Sequence, residues 1–100
     1  MAEKTFALLF EAISAAETGF RIGARHAILA FARGQNGEDA KSRAADRLHA
    51  NGWLHPNLKK VKEAGNPDHM SDDILRSAAH EAQKAGFGFV VYREEIRPDA

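Results

Sequence analysis

One predicted helix carries three polar side chains of the types used in nucleophilic catalysis. Ser42, Asp46 and His49 follow one another at spacings of four and three, which places them on one side of a helix, where they can meet. A hydroxyl, a carboxylate and an imidazole are the groups used in acyl transfer. This side lies opposite the alanine stripe of the same helix and offers no backbone donors for an oxyanion. We interpret it as a solvated face and assign no catalytic residue, so an enzyme is the least favoured class of function.

The five histidines do not form a metal-binding pattern. No two of them stand at the i, i+4 spacing that directs two imidazoles from a helix at one ion. The loop from Asp68 to Asp73 concentrates carboxylates around His69, but it lacks the alternating ligands and central glycine of a calcium loop. Acidic residues after Ser71 are also what helix capping selects. The sequence therefore predicts no metal site and no cofactor.

Two arginines in a glycine-containing segment are the best candidates for a ligand site. Arg21 and Arg25 lie in or beside the stretch bounded by Gly19 and Gly23, and guanidinium groups near a flexible turn can hold an anion. The glycines do not match a phosphate-loop or dinucleotide fingerprint. If the protein has a small-molecule ligand, we predict that Arg21 and Arg25 bind it. The alternative is that both are ordinary surface arginines.

Composition limits the class of protein. One hundred residues suffice for one core, and the absence of cysteine excludes a disulfide scaffold, a thiolate zinc site and a cysteine nucleophile. Fourteen basic residues balance fourteen acidic ones, which makes nucleic acid an unlikely partner. No apolar stretch is long enough to span a membrane. We predict a single α+β domain over residues 1–100 with a cytoplasmic location.

Two helices are marked by signals at their ends. The first begins after Asn36 and closes at Asn51-Gly52, and the second is predicted to use Ser71 as its N-cap and to end at Gly86. Both helices carry buried stripes made mostly of alanine. Trp53, directly after the first helix, is predicted to be a core residue.

Four segments are predicted to be strands. Residues 24–33 carry Ile28, Leu29 and Phe31 in a run bounded by Gly23 and Gly34, and residues 87–92 are rich in aromatic and β-branched side chains. Residues 58–63 are interpreted as an edge strand because a proline precedes them. Residues 4–18 fit either a strand or a helix. We favour the strand because it gives 24–33 an antiparallel neighbour, while the alanines of this segment keep the helix open as an alternative.

The resulting order is β-β-α-β-α-β, which predicts an α+β two-layer sandwich with both helices on one face of a four-stranded mixed sheet. The other face would then be uncovered, and apolar residues occupy both parities of 6–13 and 87–92. These features predict an interaction or binding module that associates with itself through its sheet, as a homo-oligomer, or with a protein partner. The alternative is a regulatory domain that binds a small anionic metabolite near Arg21 and Arg25.

Overall fold

The computed structural model describes residues 3–97, which form four strands and two helices in the predicted order. The strands are β1 (Lys4–Ser14), β2 (Arg25–Gly34), β3 (Trp53–Glu63) and β4 (Phe87–Glu95), and the helices are α1 (Gly37–Ala50) and α2 (Asp73–Ala85). The α+β class is confirmed, and the ambiguous segment 4–18 is a strand as far as Ser14, followed by a short 3₁₀ helix at Ala16–Thr18. Neither helix of the described chain is long and apolar enough to cross a membrane.

The four strands form one sheet in the order β3-β1-β2-β4, and each neighbouring pair is antiparallel. The prediction of a mixed sheet is therefore wrong. β2 and β3, which α1 connects, do run in the same direction, but β1 lies between them and keeps them from pairing. This order leaves β3 and β4 as the two edges of the sheet.

The helices lie on opposite faces of the sheet, which corrects the prediction that both cover one face. Side chains alternate between the two faces along a strand. Leu8 and Ile28 pack in one buried cluster with Leu48 of α1, whereas Ala7 and Phe31 pack in another with α2. Because the central strands are apolar at both parities, the sequence pattern does not assign a helix to a face.

The face under α1 holds the large core side chains. Trp53, Phe10 and Leu8 are each no more than 2% exposed, and the predicted core role of Trp53 is confirmed although it also begins β3. α1 lies close to the sheet at Gly34, where a Cβ atom would stand 2.7 Å from the Ala40 nitrogen. The absence of a side chain at Gly34 thus allows the helix to pack directly on β2.

The ends of the helices agree with the sequence signals except at the start of α2. The Asn36 side chain accepts a hydrogen bond from the Asp39 N–H, as predicted for an N-cap. In α2 the N-cap is Asp72 rather than Ser71, because its carboxylate accepts from the N–H groups of both Ile74 and Leu75. Two good capping residues stand side by side in the sequence, and the charged one makes the stronger bonds to the positive helix end.

α2 covers only part of its face. α2 contacts β4 and β2. It lies so close to β4 that a Cβ atom on Gly88 would overlap the carbonyl oxygen of Ala78. The α2 residues buried against the sheet are the small Ala78, Ala79 and Ala82. Beside the helix, the part of the face formed by β1 opens into a groove toward β3.

Candidate functional site

The structure places each of the two predicted ligand-binding arginines next to a carboxylate. Arg21 donates from Nε and Nη2 to the two Glu95 carboxylate oxygens at 3.0 and 2.6 Å, and Arg25 lies 3.9 Å from Glu11. The hydrogen bonds from Arg21 lower the pKa of the Glu95 carboxyl. An anion at Arg21 would have to compete with Glu95 in an exposed position, so anion binding at Arg21 and Arg25 stays a prediction.

The turn that carries Arg21 is held by a small polar cluster. Ser14, which is 1% exposed, contacts the Thr18 hydroxyl through its own hydroxyl, and Thr18 Oγ1 accepts from the Phe20 N–H at 3.0 Å. Gly23 takes a positive φ of 84° and donates its N–H to the Ser14 carbonyl. The glycine therefore closes a hairpin connection, since this backbone conformation is unfavourable for other residues.

The three candidate residues of the first helix lie on the surface. Ser42, Asp46 and His49 are all exposed on α1. Among residues 3–97, no three histidine or acidic side chains are grouped as metal ligands would be. Nε2 of His80, in α2, instead lies 3.2 Å from Oδ1 of Asp68, in the segment that precedes the helix.

His26, like Ser14, is a polar residue whose burial the sequence did not reveal. It is 1% exposed, and its ring lies 4.7 Å from that of Phe20 and 5.7 Å from that of Trp53, between centroids. Nδ1 lies 2.8 Å from the Tyr92 carbonyl oxygen, so it must be the nitrogen that carries the proton, while Nε2 is buried without a hydrogen-bond partner in the described chain. His26 lines neither of the two grooves described below, and it links β2 to β4 within the core.

One groove, here called the edge groove, runs along the free side of β4. Its volume is about 630 Å³. Residues from both faces of β4, from Phe87 to Val90, form its base. One wall comes from α2 and includes Ile74, which is 66% exposed, and the other comes from the end of α1 at Arg47 and Asn51. An extended segment of chain is the shape that such a slot between an edge strand and a helix accommodates.

The chain matches no protein-family model, no curated protein and no solved structure.

Backbone geometry shows which groups of β4 face the edge groove. The Arg33 N–H donates to the carbonyl of Gly86 at 3.1 Å, and these residues continue the register in which Ala32 stands opposite Phe87. In an antiparallel pair, hydrogen-bonded positions alternate with positions whose backbone groups point away. Gly88 and Val90 therefore bond to β2, and the N–H and C=O groups of Phe87, Phe89 and Val91 face outward.

The opposite edge, β3, is built in a different way. It contains Pro56 and three lysines, its residue His55 has a positive φ of 51°, and its pairing with β1 shifts register twice. Proline, lysine and bulges are the features that keep edge strands from pairing with other chains. β4 has neither proline nor lysine, and its pairing with β2 is regular from Phe87 to Val91.

A second groove, here called the face groove, lies beside α2 on the same side of the sheet. Its volume is about 560 Å³. Its apolar floor includes Leu9, Leu29 and Phe31, and one of its walls carries Lys60 and Lys62 of β3. The alternation of Lys60, Val61 and Lys62 was visible in the sequence, but the register that sets Lys60 opposite Leu9 and Lys62 opposite Ala7 was not.

Proposed function

We propose that this protein is an interaction module that associates with itself through the edge of β4. The observation that carries the proposal is the contrast between the two edges of the sheet. β3 carries proline, lysines and register shifts, while the regular part of β4 presents outward-facing backbone groups at the base of an open groove. An unprotected edge of this kind pairs readily with another strand.

A second copy of β4 is the occupant that best fits this edge. Two β4 strands related by a two-fold axis would run antiparallel, with the end of one strand beside the beginning of the other. The beginning of β4 lies next to Arg43 and Arg47 of α1, and its end carries Glu94 and Glu95. Arg43 and Glu95 already pair with other residues of their own chain, so antiparallel pairing chiefly brings Glu94 of each copy toward Arg47 of the other.

The protected β3 edges explain why such pairing would stop at a dimer. Joining two β4 strands gives a continuous sheet of eight strands with β3 at both ends. Since β3 is poorly suited to pairing, the assembly is closed rather than extending into a fibre. We also propose a cytoplasmic location, because a domain that folds without disulfides is suited to a reducing compartment.

Residue-resolved amide exchange at two concentrations tests the proposal. In a dimer joined through β4, the N–H groups of Phe89 and Val91 bond to the partner, so their exchange slows as the protein concentration rises. The N–H groups along β3 serve as the internal control and keep the same exchange rates. Light scattering on the same samples reports the mass. A monomer at about 100 μM, or slowed exchange confined to β3, contradicts the proposal.

A matched pair of variants separates backbone pairing from side-chain packing. Val91→Pro removes the outward N–H, a position where an edge strand tolerates proline, whereas Val91→Ala shortens the side chain and keeps the N–H. We expect the proline variant to be monomeric and the alanine variant to remain dimeric at the same concentration. Circular dichroism and the melting temperature verify that both are folded. Equal dimer fractions in the two folded variants would rule out pairing through this edge.

A further inference from the structure

The face groove combines an apolar floor with two cations on a single wall. Leu9 and Leu29 are only half-buried and Tyr92 is 44% exposed, so the sheet presents apolar surface beside α2. Pockets that bind small molecules are mostly apolar with a few polar groups that fix orientation, and the volume of about 560 Å³ falls within their usual range.

The charges around the groove have one sign. Lys60 and Lys62 line it, and no acidic residue is among the described residues that do so. Neither lysine has a carboxylate within 4.0 Å in the part of the chain that is described, whereas Lys4 pairs with Glu63. The two positions are separated by one residue on the same face of β3, about 6.6 Å apart along the strand. One carboxylate can therefore lie between both ammonium groups.

The opposite wall is apolar and adaptable. It is formed by Met70, in the segment before α2, and by Leu75, in the first turn of the helix, and methionine adjusts its shape to irregular apolar ligands. The hydroxyl of Tyr92 adds one hydrogen-bonding group at the β4 side of the groove. An aliphatic chain would thus be in contact with apolar atoms along its length, with its charged end at β3.

We propose that the face groove binds a single small amphipathic carboxylate, with its chain on Leu9, Leu29 and Phe31 and its carboxylate between Lys60 and Lys62. This binding is separate from the proposed self-association, because the groove lies mainly on β1, β2 and β3 and does not use the outward backbone groups of Phe89 and Val91. The ligand class follows from the juxtaposition of an apolar floor with two cations on one side. Each lysine is exposed, so the ion pairs orient the ligand while burial of its chain supplies most of the affinity.

Titration of the full chain with dodecanoate, below its micelle concentration, tests the proposal. We expect saturable binding with stoichiometry one, seen by calorimetry and by amide shift changes at Leu9, Leu29 and Lys60. The double variant Lys60→Gln, Lys62→Gln should weaken binding about tenfold, since two ion pairs are lost. Lys59→Gln is the matched control, because Lys59 belongs to the same strand and does not line the groove, and it should stay within about twofold of the parent.

Dodecanol, which has the same chain and no charge, should bind about tenfold more weakly than dodecanoate. Four results would overturn the proposal. The first three are no saturable binding of dodecanoate, equal affinity in the folded double variant, and shift changes confined to residues outside the face groove. The fourth is a set of shift changes at Leu9 and Leu29 that depend on protein concentration without dodecanoate, which would show that a second copy occupies the groove. Loss of the β4-dependent dimer in the Val91→Pro variant should leave dodecanoate affinity unchanged.

Discussion

The two faces of the sheet are formed by the same strands but are covered to different extents by the two helices. Under α1, large side chains such as Trp53 and Phe10 are almost completely buried. Both helices pack closely through alanines, but α1 adds Leu48 and contacts β1, β2 and β3, whereas α2 contacts mainly β4 and β2. The part of the α2 face that β1 forms is therefore left without a helix over it. One face is thus a closed core, and the other is partly open and forms the face groove.

The largest expected difference between the faces is between two adjacent leucines of β1. Leu8 points to the α1 face and is fully buried, and Leu9 points to the face groove and is half-buried. We expect Leu8→Ala to lower the free energy of unfolding by about 3 to 4 kcal/mol, because it leaves a cavity in a closed core. Leu9→Ala should cost about 1 kcal/mol, because its side chain already borders an open groove. Urea unfolding measures both, and equal losses would contradict the contrast between the faces.

A smaller effect is expected where α2 touches the sheet. Gly88→Ala would place a methyl group against the Ala78 carbonyl, which is helix backbone and cannot swing aside. We expect a loss of about 2 kcal/mol in the free energy of unfolding, as for other overpacked sites. Gly65→Ala is the control, because a Cβ there meets no atom within 4 Å and should change stability by less than about 0.5 kcal/mol. If Gly88→Ala were as stable as the parent protein, α2 would not be held at this distance.

The smallest effect is expected at the exposed ion pair between Arg21 and Glu95. Arg21 lowers the pKa of the Glu95 carboxyl below its ordinary 4.5 through a direct hydrogen bond. Because this pKa is lower in the folded protein than in the unfolded chain, the ion pair adds stability at pH values above the unfolded-state pKa. This stability is lost as the pH falls through the folded-state pKa. Arg21→Ala should therefore melt slightly below the parent protein at pH 7, and the difference should vanish in acid.

Melting curves at pH 7 and pH 2.5, each at low and high salt, test this ion pair. Salt should reduce the difference at pH 7, because both groups are exposed. If the melting temperatures of Arg21→Ala and the parent protein differed more at pH 2.5 than at pH 7, Arg21 would act through something other than the Glu95 carboxylate.

The local elements were predictable because their signals lie within a few residues of each other. Asn36 caps α1 and Gly86 ends α2 as the sequence indicates, and the aromatic and β-branched run after Gly86 is a strand. The candidate sites were not predictable in the same way. Arg21 was identified as an anion ligand, but its partner Glu95 is 74 residues away in the sequence. His26 was not recognised as buried, since its enclosure by Phe20 and Trp53 depends on how β2 and β3 are placed.

The sequence alone determined the order of the elements and, outside the ambiguous segment 4–18, their type, because helix caps, glycine turns and side-chain periodicity act locally on the backbone. Tertiary structure decided which face each helix covers and which strands lie at the edges. Apolar residues at both parities of the central strands allow a helix on either side, so packing selects the arrangement. Only that arrangement sets Lys60 beside Leu9 and leaves β4 as the unprotected edge, because both depend on strand register across distant parts of the chain.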